Sequence, residues 1–226
     1  DSAIGGKVAV DLPEGKNVVG AFYQPRLVWC DVALLVSLSV RQVRNGLAEA
    51  VKYGVISDPS LFAFLEKNAG GLLRRDGRAM ARVVVACAAI KAAVVAKDEK
   101  ETRGIRTVLN FGHTVGHAIE AACGYGRYHH GEAVALGMRA ACRMSVAAKF
   151  LPARDALRIE ILLSRIGLPQ QFKGAGLAKV LHVMKFDKKF SGRKNRFVFA
   201  RSIGRAVVVE GVPAEFITAI VKGLQG

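Results

Sequence analysis

The sequence predicts a mainly α-helical domain with a short α/β remnant at its N-terminus and a small β-hairpin near its C-terminus. Three observations predict it. Helix-start signals recur from Ser39 onward, each followed by apolar residues at helical spacing. Short β-prone runs bounded by turn residues stand within the first 29 or so positions and at 197–209. Hydrophobic residues make up 51% of the 226, enough for a substantial buried core. The expected division is 1–28 for the α/β remnant and 29–226 for the helical domain.

Taken in order, 7–10 and 26–29 are short β-prone runs separated by a loop containing Gly and Pro. Ser39 then reads as an N-cap, with Val40, Val43, Leu47 and Val51 at helical spacing behind it. Asp58-Pro59 starts a second helix, with proline at its first position, leading into Leu61, Phe62, Phe64 and Leu65. Asp76 or Gly77 opens a long apolar helix to about Asp98. Helices follow at 114–123, stopped by Gly124, at 132–150, and at 153–166, where Gly167-Leu168-Pro169 ends the last. Residues 197–200 and 206–209 form a hairpin around Ile203-Gly204, and Pro213 opens a terminal helix. No internal repeat or low-complexity segment is visible.

The formal charge of +16 raises nucleic-acid binding as a rival reading. The basic residues are dispersed and few aromatics lie among them, so no stacking platform is apparent. A positive cleft for a small anion accounts for the same charge. The most apolar run, 79–96, includes Arg82 and Lys91 and reads as a buried helix, not a membrane span. Cys30, Cys87, Cys123 and Cys142 are widely spaced with no CxxC pair, which suits buried free thiols in a reducing cytoplasm. No signal peptide is visible, and no GxGxxG follows a predicted strand.

The most informative stretch is NFGHTVGHAIE (110–120) followed by HHGE (129–132). His113 and His117 stand four apart, so on a helix they share a face. His130 can return to that face if Gly124 and Gly126 turn the chain. A catalytic zinc typically takes three protein ligands, and spacing alone nominates His113 and His117 together, with helix-start capping as the plainer role. Glu49 sits among apolar neighbours, where a carboxylate needs a partner. Lys91 interrupts an otherwise apolar helix, and Arg106 and Asn110 lie four apart just before His113.

LNFGHTVGHAIEA (109–121) with HHGEAVALGM (129–138) resembles the signature of the 3-dehydroquinate synthases. The resemblance continues in DSAIGGK (1–7), GKN (15–17), NGLAEAVKYG (45–54), KAAVV (91–95), DEKE (98–101) and DKK (187–189), in the family's order over nearly the whole chain. It implies metal ligands at Glu49, His113 and His130, leaving His117 for proton transfer or phosphate contact. It implies substrate contacts at Lys7, Lys52, Lys91, Glu101, Arg106, Asn110 and Lys189, with the choice between Lys188 and Lys189 open. NAD contacts are implied at Lys7, Lys16, Asn17, Leu34, Leu35, Val36 and Ser37. The implied cofactors are NAD and zinc, with cobalt as a second metal. The implied reaction converts 3-deoxy-arabino-heptulosonate 7-phosphate, a small anionic sugar phosphate, to 3-dehydroquinate and phosphate in the shikimate pathway, in a cytoplasmic homodimer. Family members carry a nucleotide-binding domain ahead of the DSxxGGK block, so the chain corresponds to their C-terminal part and is expected to be inactive alone. Another sugar phosphate cyclase of secondary metabolism stays open, as does a basic helical module without turnover.

Overall fold

The N-terminal strands answer to only half of the expected pattern. The computed structural model describes residues 2–12, 15–124, 126–186 and 194–226. β1 (Lys7–Leu12) falls where expected, but its antiparallel partner is β2 (Gly15–Phe22), with Lys7 opposite Phe22 and Val10 opposite Val19. Residues 26–29 carry no strand. A tight hairpin satisfies the backbone of β1 locally, and the β-branched content of 26–29 has no neighbouring strand to pair with.

Eight helices follow among the described residues, and the first three begin at the predicted caps. Ser39 Oγ accepts from Gln42 N at 3.3 Å and opens α1 (Val40–Ile56). Asp58 accepts from Ser60 and Leu61 N ahead of α2 (Pro59–Leu73), and Asp76 accepts from Ala79 N ahead of α3 (Gly77–Lys97). Each cap satisfies donors that the first helical turn leaves without a partner. Then come α4 (His113–Ala122), α5 (His130–Ala147), α6 (Ala153–Ile166), α7 (Leu177–Phe186) and α8 (Ala214–Lys222). α5 starts two residues earlier than the periodicity suggested and ends three earlier. α7 follows Gly176 with no Ser, Thr, Asp or Asn directly ahead of it, so the sequence did not mark it. Two-turn 3₁₀ segments cover Val32–Ser37 and Ile105–Asn110.

β3 (Arg196–Ser202) and β4 (Arg205–Glu210) form the expected hairpin. Its turn docks on the end of α1, where Gly204 N donates to Val55 O at 2.9 Å.

α5 is the central element. Val134, Ala135, Met138, Ala141 and Cys142 pack into a cluster with α1, α2 and α6, while Leu136, Ala140 and Met144 pack into a second with α4, α7, β3 and α8. A helix apolar all round must be buried all round. Full burial of side chains such as Phe62 and Leu65 contributes about 1.5–3 kcal/mol each. Arg139, a large polar group at that depth, spends its guanidinium on Pro169 O, Glu160 O and Ser164 Oγ.

Two expectations need correction. α3 is not a buried helix: only 22% of its most apolar window is covered. It lies at the domain's edge, so only the side carrying Met80, Val83 and Cys87 has something to pack against. By length and composition it could cross a membrane, although Arg82 and Lys91 interrupt it. Cys30 is exposed, so only Cys87 and Cys142 are the buried thiols expected; all four are free. Burial pushes the Cys87 thiol up to about 12, which leaves it inert at neutral pH.

Candidate metal and anion site

The site begins with how closely α1, α4 and α5 approach. A Cβ placed on Gly131 would stand 2.1 Å from Asn45 O, and one on Gly137 would stand 1.8 Å from Gly112 O. Only glycine permits backbones that close. Gly131 N donates to Asn45 Oδ1 at 2.5 Å, and Arg41 grips Glu132 with two 2.7 Å bonds. Glu132 Oε2 in turn accepts from His129 N at 2.8 Å. These contacts fix the start of α5, where His130 sits, against the middle of α1, where Glu49 sits.

Glu49 Oε1 then lies 3.5 Å from His113 Nε2 and 3.5 Å from His130 Nε2. That oxygen is buried and makes no hydrogen bond, while Oε2 pairs with Lys52 Nζ at 2.5 Å. A buried carboxylate oxygen without a donor, facing two imidazole nitrogens, fits a divalent cation. Burial works to raise the Glu49 pKa, yet the nearby His130 ring and the charge of Lys52 hold it well below the carboxylate range. Burial pushes His113 down to about 3, so it is neutral and can donate a lone pair. The carboxylate of Glu120, then that of Glu49, raises His130 to about 9.

The three imidazoles cluster, with ring centroids 5.2 Å apart for His113–His117, 5.3 Å for His113–His130 and 5.5 Å for His117–His130. One ligand atom from each falls within 4.8 Å of the others. The spacing-based pair and the resemblance-based triad therefore meet at one place, with Glu49 distinguishing them.

Against this cluster lies a polar cavity of about 300 Å³. Lys7, Lys52, Lys91, Glu101, Arg106 and Asn110 line it together with Glu49, His113 and His130. Lys7 pairs with Glu101. Arg106 is buried, and its Nη1 donates to Gly5 O at 3.3 Å and Glu99 O at 2.7 Å. Asp98 organises the loop leading there: it accepts from Arg103 N and Ile105 N at 2.9 Å and from Arg106 N at 3.3 Å. Burial, then the charge of Lys52, brings Lys91 down to about 8. His117 is exposed and does not line this cavity.

The positions expected to contact NAD are spread out. Lys7 is in the polar cavity, and Leu35 lines a neighbouring apolar cavity of about 290 Å³ that shares Glu49 and Tyr53 with it. Leu34 and Val36 are exposed, and Ser37 Oγ donates to Leu34 O at 2.8 Å. Lys16 and Asn17 lie on β2. Lys188 and Lys189 fall outside the described residues. The residue that sequence reasoning missed is Glu120, buried on α4 with Oε2 3.5 Å from His130 Nδ1. Its position seven after His113, on the stripe of His113 and His117, was the available signal.

Residues 46–190 match the family model described as 3-dehydroquinate synthase C-terminal, and 1–45 the one described as 3-dehydroquinate synthase N-terminal. The chain is 47% identical over 223 residues to the 3-dehydroquinate synthase of Desulforamulus reducens, covering 98% of this chain and 62% of the relative. It is 45% identical over 218 residues to that of Pelobacter propionicus, covering 96% and 60%. The chain thus spans about three fifths of the length of the curated relatives it matches. Among solved structures it is similar to ValA, the 2-epi-5-epi-valiolone synthase of Streptomyces hygroscopicus subsp. jinggangensis with NAD+ and Zn2+ bound. That match has a TM-score of 0.90 at 25% identity, over 99% of this chain and 62% of that one. A 2-deoxy-scyllo-inosose synthase complexed with carbaglucose-6-phosphate, NAD+ and Co2+ matches with a TM-score of 0.84 at 26% identity, over 99% and 63%.

Proposed function

The chain belongs to the 3-dehydroquinate synthase family, and from that premise we propose that it forms the metal- and substrate-binding part of an enzyme converting 3-deoxy-arabino-heptulosonate 7-phosphate to 3-dehydroquinate and phosphate. The observation that carries this reading is the convergence of Glu49 Oε1 with two imidazole Nε2 atoms at 3.5 Å, beside a cavity lined by cations. Lys7, Lys52, Lys91 and Arg106 meet inside one cavity, which suits a small polyanion better than an extended nucleic acid.

Glu49, His113 and His130 would hold the metal. Lys7, Lys16, Asn17 and residues 34–37 supply the edge of a nucleotide site. When bound, zinc or cobalt supplies Lewis acidity at a substrate hydroxyl, and NAD supplies a hydride acceptor.

The chain's own residues do the rest. Arg106, pinned by two backbone carbonyls, presents a fixed guanidinium for a carboxylate. Lys91 and Lys7 neutralise phosphate, and Asn110 offers an amide to a hydroxyl. Holding both ends of a multistep substrate in one pose is worth orders of magnitude in rate. His117, beside the other two rings, is assigned proton transfer at a ring nitrogen. The division of the chain at 28/29, a homodimer and a cytoplasmic location belong to the same reading.

A cyclase of secondary metabolism is the second reading, favoured by the structural likeness to 2-epi-5-epi-valiolone synthase. The identity of 47% to a dehydroquinate synthase against 25% to that enzyme weighs for the first. The test joins this chain to the part of a curated relative outside the match and supplies NAD and zinc. Phosphate release is then measured from heptulosonate 7-phosphate, sedoheptulose 7-phosphate and glucose 6-phosphate. Release from the first alone is expected. Release from either of the others transfers the reading to another cyclase, and release from none contradicts both.

A further inference from the structure

Both imidazoles that face Glu49 present Nε2, and each has its other nitrogen approached from behind. Behind His113 stands the carbonyl of Phe111, 3.1 Å from Nδ1. Behind His130 stands the carboxylate of Glu120, with Oε2 3.5 Å from Nδ1. A neutral imidazole carries one proton, so an acceptor at Nδ1 leaves the lone pair on Nε2.

The two rings differ in how much else restrains them. His113 is 11% exposed and enclosed by packing, whereas His130 is 45% exposed at the first position of α5. A half-exposed ring keeps rotamer freedom unless a side chain takes hold of it. Glu120 is placed for this: it lies on α4 three residues beyond His117, and its side chain is only 9% exposed. Burying a carboxylate there is costly unless it is compensated, and no step of the proposed reaction uses it.

The geometry points to Glu120 as the positioning residue of the metal centre: its carboxylate accepts from His130 Nδ1–H and so fixes the tautomer and ring orientation that present Nε2 toward Glu49 and His113. This rests on the reading of Glu49, His113 and His130 as metal ligands. The charge of Glu120 also makes His130 a stronger donor, because a carboxylate behind an imidazole raises the basicity of the opposite nitrogen. Loss of such a partner typically weakens metal binding about 10–100-fold.

The test is zinc affinity, read by competition with a chromophoric chelator, for the wild-type chain, Glu120→Gln and Glu120→Ala. Glu120→Gln keeps the shape and an acceptor but loses the charge, and is expected to bind about 10-fold more weakly. Glu120→Ala is expected to approach 100-fold. The metal-free melting temperature of Glu120→Gln should stay within about 4 °C of wild type. A residue with only a packing role would move the melting temperature and leave the affinity of the folded variant unchanged. Wild-type affinity in both variants overturns the inference.

A second measurement does not depend on the variants folding. In long-range ¹⁵N–¹H spectra of the zinc-loaded wild type, His130 should show a protonated Nδ1 and a metal-bound Nε2. The opposite tautomer overturns the inference. A wild-type chain that binds no zinc overturns the metal centre itself, and the assignment of Glu120 falls with it.

Discussion

The helices carrying Glu49, His113 and His130 and the N-terminal segment carrying Lys7 reach the same cavity but are held there in opposite ways. In the helical body, backbones touch at glycines and the apolar residues around the site are nearly all buried. In the N-terminal segment Val8, Val10, Val19, Phe22 and Tyr23 are exposed, and Trp29 is 84% exposed. Lys7 is placed through a few polar contacts: its pair with Glu101, the Tyr23 N bond to Gly6 O at 2.8 Å, Arg106 on Gly5 O, and Gln24 on Glu99 at 3.2 Å. A metal centre tolerates little positional error, and close packing provides that precision. The other half of the cavity rests on polar groups at the surface, each worth little by itself. Metal binding should therefore depend on packing, and anion binding on charge.

The largest effect that would break this contrast lies at Gly131. Gly131→Ala puts a methyl 2.1 Å from Asn45 O, so α1 and α5 must separate. A stability loss of about 1–3 kcal/mol is expected, with zinc affinity down about 100-fold; melting and zinc titration check both. Wild-type zinc affinity in a destabilised variant would show that the site does not need the close approach.

Charge dominates at Lys91. Its pKa near 8 means that the ammonium is present below that pH and lost as pH rises through it. Inorganic phosphate, titrated calorimetrically, should bind more weakly from pH 7 to pH 9. Lys91→Arg should flatten the slope, since guanidinium does not titrate there. Lys91→Met should weaken binding about 10-fold at pH 7, of the order of one lost charge-assisted hydrogen bond. An unchanged slope in Lys91→Arg would assign the titration elsewhere.

A smaller, pH-confined effect belongs to Asp98, whose carboxyl is held below the aspartate range by the amides of Arg103, Arg106 and Ile105, against burial. A depressed folded-state pKa gives stability that is present above the unfolded value, about 3.9, and lost as pH falls through the folded value. Asp98→Asn should therefore lose most of its deficit in melting temperature, relative to wild type, below about pH 4. A deficit constant down to pH 2 would contradict that.

The smallest effects lie on the hairpin. Val8→Ser and Phe22→Ser, both at exposed positions, should stay within about 0.5 kcal/mol in chemical denaturation. A cost above 2 kcal/mol would mean that this segment is held as firmly as the helices.

The helical body was largely legible because its signals are local. Ser39, Asp58-Pro59 and Asp76 each start a helix within one turn. The second N-terminal strand was not, since GKNVVGAF is poor in strand formers and pairs only because β1 folds back on it. α7 has no Ser, Thr, Asp or Asn directly ahead of it to announce a start, and Val180 and Met184 pack it beneath α4. For the site, histidine spacing located the cluster but could not supply Glu49, which comes from α1, 64 positions before His113; only the family resemblance named it. Asp98 as a loop organiser and the contact of Glu120 with His130 were not read, because each depends on how a turn brings back residues five to ten positions on.

The central claim, that Glu49 joins His113 and His130 as the ligand set while His117 stands outside it, is tested most directly by zinc content. Wild type, Glu49→Gln, His113→Ala, His130→Ala and His117→Ala would be measured under one set of conditions. The account predicts that the first three substitutions remove most bound zinc and that His117→Ala keeps it. Full occupancy in His130→Ala or Glu49→Gln, together with loss in His117→Ala, would contradict it and return the site to the His113–His117 pair.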